Sequence, residues 1–342
     1  MFPAALLLAL SVSNPSEDWM KREAQFLTNI RKVTSHFVRA GEGYFSPDGK
    51  QIVFQAEERD TGNPFYQIFI MDLETGRFRR LSPGVGRTTC PYFSPDGKKV
   101  IFASSHLDPE AKKHQEAEYR QREEDRRAGR RRRYQWDFDP YMDIFEIQVD
   151  GTGLKRLTDT PGYDAEGSYS PDGKQIVFCS NRDGNLELYI MASDGTEVRK
   201  LTNAPGVYNG GPFFSPDGKR VVFRSDRKEK DRLQLYVIDA DGQNETALTN
   251  NDQWVYWAPF WYPDGKHIIY TAADHGNPML RPNYDLYWMN VETRKMTRIT
   301  FSPGQDVLPV FSPDGKRILW TSSREGDPSS QLYIADFHAP KD

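Results

Sequence analysis

The chain is poor in the residues that usually announce a stapled, metal-bound or hydrolytic protein. Of its 342 residues two are cysteine, Cys90 and Cys179, and six are histidine. Two cysteines in separate repeats do not make a disulfide framework, so stability must come from packing. Neither a Gly-x-Ser-x-Gly elbow nor a His-Glu-x-x-His zinc motif occurs, which removes two common signatures of hydrolases. The formal net charge of -4 gives no overall basic face for nucleic acid. The apolar run from Ala4 to Val12 is too short for a bilayer, and no other segment comes near the length needed. Small residues and a polar stretch follow that run, although no Lys or Arg precedes it. This pattern predicts a signal peptide over 1–13, a lead-in over 14–29, and a periplasmic or secreted mature chain without a transmembrane segment.

What the chain has in quantity is glycine (26), proline (23) and aromatic residues (13%), the composition of short strands joined by tight turns. Ser-Pro-Asp-Gly-Lys occurs at 46–50, 94–98, 170–174, 215–219 and 312–316, and Tyr-Pro-Asp-Gly-Lys at 262–266. Successive copies are evenly spaced, except that the interval between the second and third is longer by about thirty residues, so one repeat carries an insertion. An alternating apolar run follows each copy (QIVFQA, KVIFAS, QIVFCS, RVVFRS, HIIYTA, RILWTS), and Asp-Gly before such a run marks a hairpin turn. Next comes a run such as QIFIMD or ELYIMA, and then a short segment ending in Leu/Ile-Ser/Thr. With the strand before each turn, every repeat holds four antiparallel strands, which is a propeller blade.

The last repeat lacks its fourth strand, and a stray copy, IRKVT at 30–34, stands ahead of the first turn. An open ring would leave an unpaired edge, so residues 30–34 are expected to fill the outer edge of blade six. The predicted fold is all-β: a six-bladed propeller over 30–338, with a charged helical insertion at 105–140 in blade two. These turn and strand motifs resemble the TolB-like six-bladed propellers, which are found alone in the periplasm or fused to peptidases. The resemblance implies a binding scaffold more than a chemistry, because propellers host unrelated activities.

Function is expected where the loops before strand one and between strands two and three emerge, since the opposite face carries uniform turns. Four positions before each turn stand Glu42, Cys90, Glu166, Gly211, Ala258 and Leu308, a ring that faces the channel. Glu42 and Glu166 are candidates to hold an amine or a divalent cation, calcium or magnesium, because hard oxygen donors suit these ions; no cofactor is required. Further out, Arg39, Arg87, Asp164, Tyr208 and Asp306 are candidate ligand contacts. Arg39 and Arg87 would neutralise the two glutamates or read an anion. Trp254 and Trp257 offer stacking platforms for sugars or apolar side chains. Arg182, Arg227 and Arg324 recur at one loop position and suggest an inter-blade salt bridge.

The insertion runs in strong helix formers after Pro109 and has almost no apolar stripe, as a solvated helix does. It reads as a lid or docking arm, with Arg130, Arg131, Arg132 and Arg133 meeting an anionic partner. The first functional reading is a monomeric, non-enzymatic module that binds a peptide, glycan or envelope protein at the channel mouth. Two alternatives stand beside it. One is a hydrolase or lyase using Glu42 and Glu166 as acid and base, and the other is a specificity module for a separate peptidase.

Overall fold

The structure, a computed structural model, describes residues 15–130, 138–326 and 329–341; the signal peptide expected over 1–13 lies outside them. Six four-stranded antiparallel sheets form the six blades. The innermost strands are Arg39–Phe45, Thr88–Phe93, Asp164–Tyr169, Asn209–Phe214, Trp254–Trp261 and Asp306–Phe311, in the order of blades one to six. Packed between blades, the second and third strands bury rows such as Ile52, Val53, Phe54 and Ile68, Phe69, Ile70. Both faces of each blade are covered by its neighbours, so these strands read as near-continuous apolar runs.

The repeated motif is explained by its turn. In blade one the Ser46 hydroxyl donates to Asp48 Oδ1 (2.6 Å) while accepting from the Gln51 N–H (2.9 Å), and the Lys50 N–H donates to the same carboxylate oxygen (3.0 Å). Gly49 supplies the left-handed residue (φ 68°) that a Cβ would strain. Where Tyr262 replaces serine, His267 takes over through Nδ1, 2.7 Å from Asp264 Oδ2. The closing Leu-Ser/Thr motif also has a job. In blades one to five the hydroxyls of Ser82, Thr158, Thr202, Thr249 and Thr300 accept the N–H of a residue in strand three, each at 2.9 Å.

Ring closure follows the same rule. The strand Leu27–Lys32 pairs with Gln331–Phe337 as the outer strand of blade six, and Thr34 accepts the Leu332 N–H at 2.8 Å. The preceding helix α1 (Pro15–Glu23) adds a latch. Its buried Glu23 receives Arg324 Nη1 (2.8 Å) and the Phe301 N–H (3.0 Å), and Arg324 also holds Asp306 (3.0 and 3.1 Å). The insertion forms helix α2 (Ala111–Arg127) between the second and third strands of blade two. It is pinned to blade one by Arg122, which donates to both oxygens of Glu57 (3.0 and 2.9 Å).

Candidate functional site

The ring read from the sequence is a ring of β-bulges. Glu42, Cys90, Glu166, Gly211, Ala258 and Leu308 all have positive φ, between 41° and 59°, and the pairing register between strands one and two shifts at each of them. A bulge turns the strand and re-aims its side chains. Here it brings five side chains and the bare Gly211 backbone toward the axis at one level. The bulge N–H groups reach across to the preceding blade: Glu42 donates to Thr321 Oγ1 (3.0 Å) and Leu308 to Thr271 Oγ1 (3.1 Å).

Two residues further on, Tyr44, Tyr92, Phe213 and Phe260 form an aromatic layer. Tyr44 and Phe213 belong to opposite blades, yet their ring centroids are 5.8 Å apart; Phe213 and Phe260 lie 5.1 Å apart. Rings in contact across the axis fill the channel at that level, so the bulge ring is the floor of a blind mouth.

One side of this floor is a buried polar network. Glu166 receives Arg224 Nη2 (3.0 Å), the Tyr208 hydroxyl (3.1 Å) and the Gly211 N–H, and Arg224 Nη2 also reaches the Tyr208 oxygen (2.6 Å). Two glycines make room for it: a Cβ at Gly210 would sit 2.1 Å from the Tyr208 oxygen, and one at Gly211 2.2 Å from the Arg224 guanidinium. Glu42, half-buried, is less committed. It accepts from the Tyr44 hydroxyl (3.2 Å) and the Cys90 thiol (3.7 Å). Loss of water around it, reinforced by the Glu166 charge, pushes its carboxyl up to about 7, against the opposing pull of Cys90, Arg224 and Tyr44. Burial, with Glu42 and Glu166 nearby, holds the Cys90 thiol well above its usual range, so this cysteine is protonated and a poor nucleophile.

Comparison with known proteins places this geometry. The sequence profile of the dipeptidyl peptidase IV N-terminal region matches residues 148–279. A Tol-Pal system protein TolB from Bordetella pertussis is 38% identical over 48 residues, 14% of this chain and 11% of that protein. The chain thus matches only a small part of that curated relative's length. A putative TolB from Agrobacterium tumefaciens superposes with a TM-score of 0.60 at 18% identity, over 91% of this chain and 94% of that one. An oligogalacturonate lyase from Vibrio parahaemolyticus superposes with a TM-score of 0.55 at 14% identity, over 90% and 93%. The fold is a TolB-like six-bladed propeller. Such likeness fixes architecture and leaves the activity to the site.

In this TolB-like propeller the partner of Glu166 is Arg224, and neither Arg39 nor Arg87 neutralises a floor glutamate. Arg39 pairs with Glu57 (2.8 Å) and lies over the Tyr66 ring; Arg87 faces Asp139 (3.7 Å) and the Phe65 ring. The sequence held a clue to Arg224. At its place in strand two the repeats carry Gln55, Ala103, Cys179, Arg224, Thr271 and Thr321, and a lone charge in an apolar strand needs a partner. The recurring loop arginines work within a blade instead of between blades: Arg182 holds Asp164 (3.0 Å), Arg227 holds Asn209 (2.6 Å) and Arg324 holds Asp306. Asp164 and Asp306 are therefore already engaged. Trp254 packs against Tyr256 and Tyr287 at the edge of an inter-blade cluster, whereas half-buried Trp257 stands edge-on to Tyr284.

The insertion takes part in the mouth by a residue that sequence reasoning passed over. Phe138, at its return, packs on Tyr163 (5.3 Å) and Tyr208 (6.2 Å), the two tyrosines beside Glu166. Arg130 pairs with Asp125 (2.9 Å); Arg131, Arg132 and Arg133 lie outside the described residues. A related oligogalacturonate lyase structure contains manganese. Among the described residues here, no three His, Cys, Asp or Glu side chains come together as a metal cluster. Calcium or magnesium would need about six oxygen donors, and at this floor it would meet the Arg224 charge and a Glu166 carboxylate already occupied.

Proposed function

We propose that the chain is a ligand- or protein-binding module of a periplasmic or secreted compartment, taking its ligand at the blind channel mouth. The observation that carries this reading is the inequality of the two floor glutamates. Glu166 is saturated by Arg224, Tyr208 and Gly211, while the half-buried Glu42 carboxyl has a tyrosine hydroxyl and a thiol for company. A preorganised acceptor at the bottom of an aromatic-lined recess is a recognition element, and fixed partners around it lower the cost of binding. The same inequality weighs against the hydrolase or lyase alternative, which needs two free carboxylates about 5 to 10 Å apart. The match of residues 148–279 to the dipeptidyl peptidase IV N-terminal region supports a second reading, a specificity module for a separate peptidase, which uses the same mouth.

Peptide and glycan arrays probed with the purified chain test the proposal. Array hits should weaken about tenfold for Glu42→Gln, the loss expected for one charge-assisted hydrogen bond, and vanish for Glu42→Arg. Hits unaffected by both substitutions would show that the ligand binds elsewhere.

A further inference from the structure

Between Glu42 and the aromatic layer lies a small cavity with room for about one water molecule. Its wall contains Glu42, the rings of Tyr44, Phe213 and Phe260, and the apolar bulge residues Ala258 and Leu308. One acid, three rings and no cation is an unusual lining. Ring faces carry partial negative charge and attract a cation within about 6 Å of the centroid. Resting on the channel-mouth reading, we infer that this cavity seats a primary ammonium group, carried on a slender chain that reaches down from the mouth, with Glu42 as its counter-charge.

Size and charge together narrow the ligand class. An ammonium is about as large as water, whereas a planar guanidinium spreads five donors over a wider fork. A carboxylate or phosphate would face the Glu42 charge of the same sign. A calcium ion requires six to eight oxygens, and the wall of this cavity brings one carboxylate. The charged groups facing Glu42 are Glu166 and Arg224, which offset each other, so an ionised Glu42 leaves the floor with one uncompensated negative charge. Burial holds the other titratable groups there neutral: Cys90, Tyr44, Tyr163 and Tyr208 are pushed well above their ordinary values and Tyr92 to about 12. An arriving ammonium therefore meets one counter-ion, and it must compete with the proton that Glu42 takes up near neutrality.

The test is a titration of the full chain with n-butylammonium chloride, followed by the carbon resonance of the labelled Glu42 carboxyl. 1-Butanol, sodium butyrate and calcium chloride at matched ionic strength are the comparisons. The inference expects saturable binding of n-butylammonium alone, strengthening about tenfold from about pH 6 to about pH 8 as Glu42 loses its proton, with a matching fall in the Glu42 apparent pKa. Glu42→Gln should weaken binding about tenfold or more, and Phe260→Leu about threefold with the carboxylate intact. A single cooperative unfolding transition, well above the titration temperature in both variants, shows that the comparison is made on folded protein. L-alaninamide and Nα-acetyl-L-lysinamide then separate a peptide α-amine from a lysine side chain as the source. Binding of calcium in place of the amine, or equal binding of 1-butanol, would overturn the inference. Absence of amine binding while array hits still depend on Glu42 would overturn it alone and leave the channel-mouth reading standing; loss of both dependences would remove both.

Discussion

Replacing Arg224 by methionine removes the guanidinium from the polar floor while keeping much of its apolar stem. The Arg224 and Glu166 side chains are 16% and 5% exposed, so solvent screens the pair little. Glu166 would keep Tyr208 and the Gly211 N–H but lose its counter-charge, and removing one member of a buried pair costs about 3–5 kcal/mol. For 342 residues, unfolding entropy of about 2.1 cal/mol/K per residue gives about 0.7 kcal/mol/K. With the six blades melting as one unit, about 4 kcal/mol lowers Tm by about 6 °C. Calorimetry reads this directly. The double variant Arg224→Met, Glu166→Gln should recover a large part of the loss, because the residual cost is that of an unpaired charge. A fall below about 1.5 °C, equivalent to about 1 kcal/mol, or a double variant no better than the single one, would refute the pairing argument.

Glu42 sets a pH dependence of the opposite sign to most acids. Its folded value of about 7 lies above the ordinary 4.5, so between these limits the folded chain binds more protons than the unfolded one, and the stability Glu42 contributes is lost as pH rises from 4.5 to 7; urea midpoints of Glu42→Gln should lack this component and exceed wild type above neutrality. Thr34→Val leaves the buried Leu332 N–H without its acceptor and should cost about 1–3 kcal/mol, seen as a lower urea midpoint and faster amide exchange at Leu332; an unchanged midpoint would mean that the strand closes the ring without this hydroxyl. Arg122→Ala frees α2 from Glu57. The pair is partly exposed (32% and 10%), so the stability change should be near 1 kcal/mol or less, while limited trypsin digestion should cut the insertion sooner and leave the propeller whole.

The fold was open to reading because each of its devices is local and repeated. The Ser-Pro-Asp-Gly turn satisfies its own hydrogen bonds within six residues, and the Leu-Thr closure is the same hydroxyl acceptor six times over, including Thr34 at the far end of the chain. Phe138 and Arg224 were not legible in the same way. Each occurs once, and what makes it matter is a partner distant in sequence: Phe138 meets Tyr208 across two blades, and Arg224 meets Glu166 over a separation of 58 residues.

By itself the sequence determined the blade count, the existence of an N-terminal closing strand, the insertion's place and the six bulge positions, because period and turn chemistry act over a few residues; the closing strand expected at 30–34 pairs as Leu27–Lys32, since Thr34 serves instead as the hydroxyl acceptor beyond its end. Only the tertiary structure decided which charges meet at the floor. That choice depends on bulges that re-aim side chains, on two glycines that leave space for a guanidinium, and on rings from opposite blades that fill the channel below. Pairing across blades is settled by ring closure, and it made Glu166 a locked scaffold element while leaving Glu42 with the Tyr44 hydroxyl and the Cys90 thiol in place of a cation.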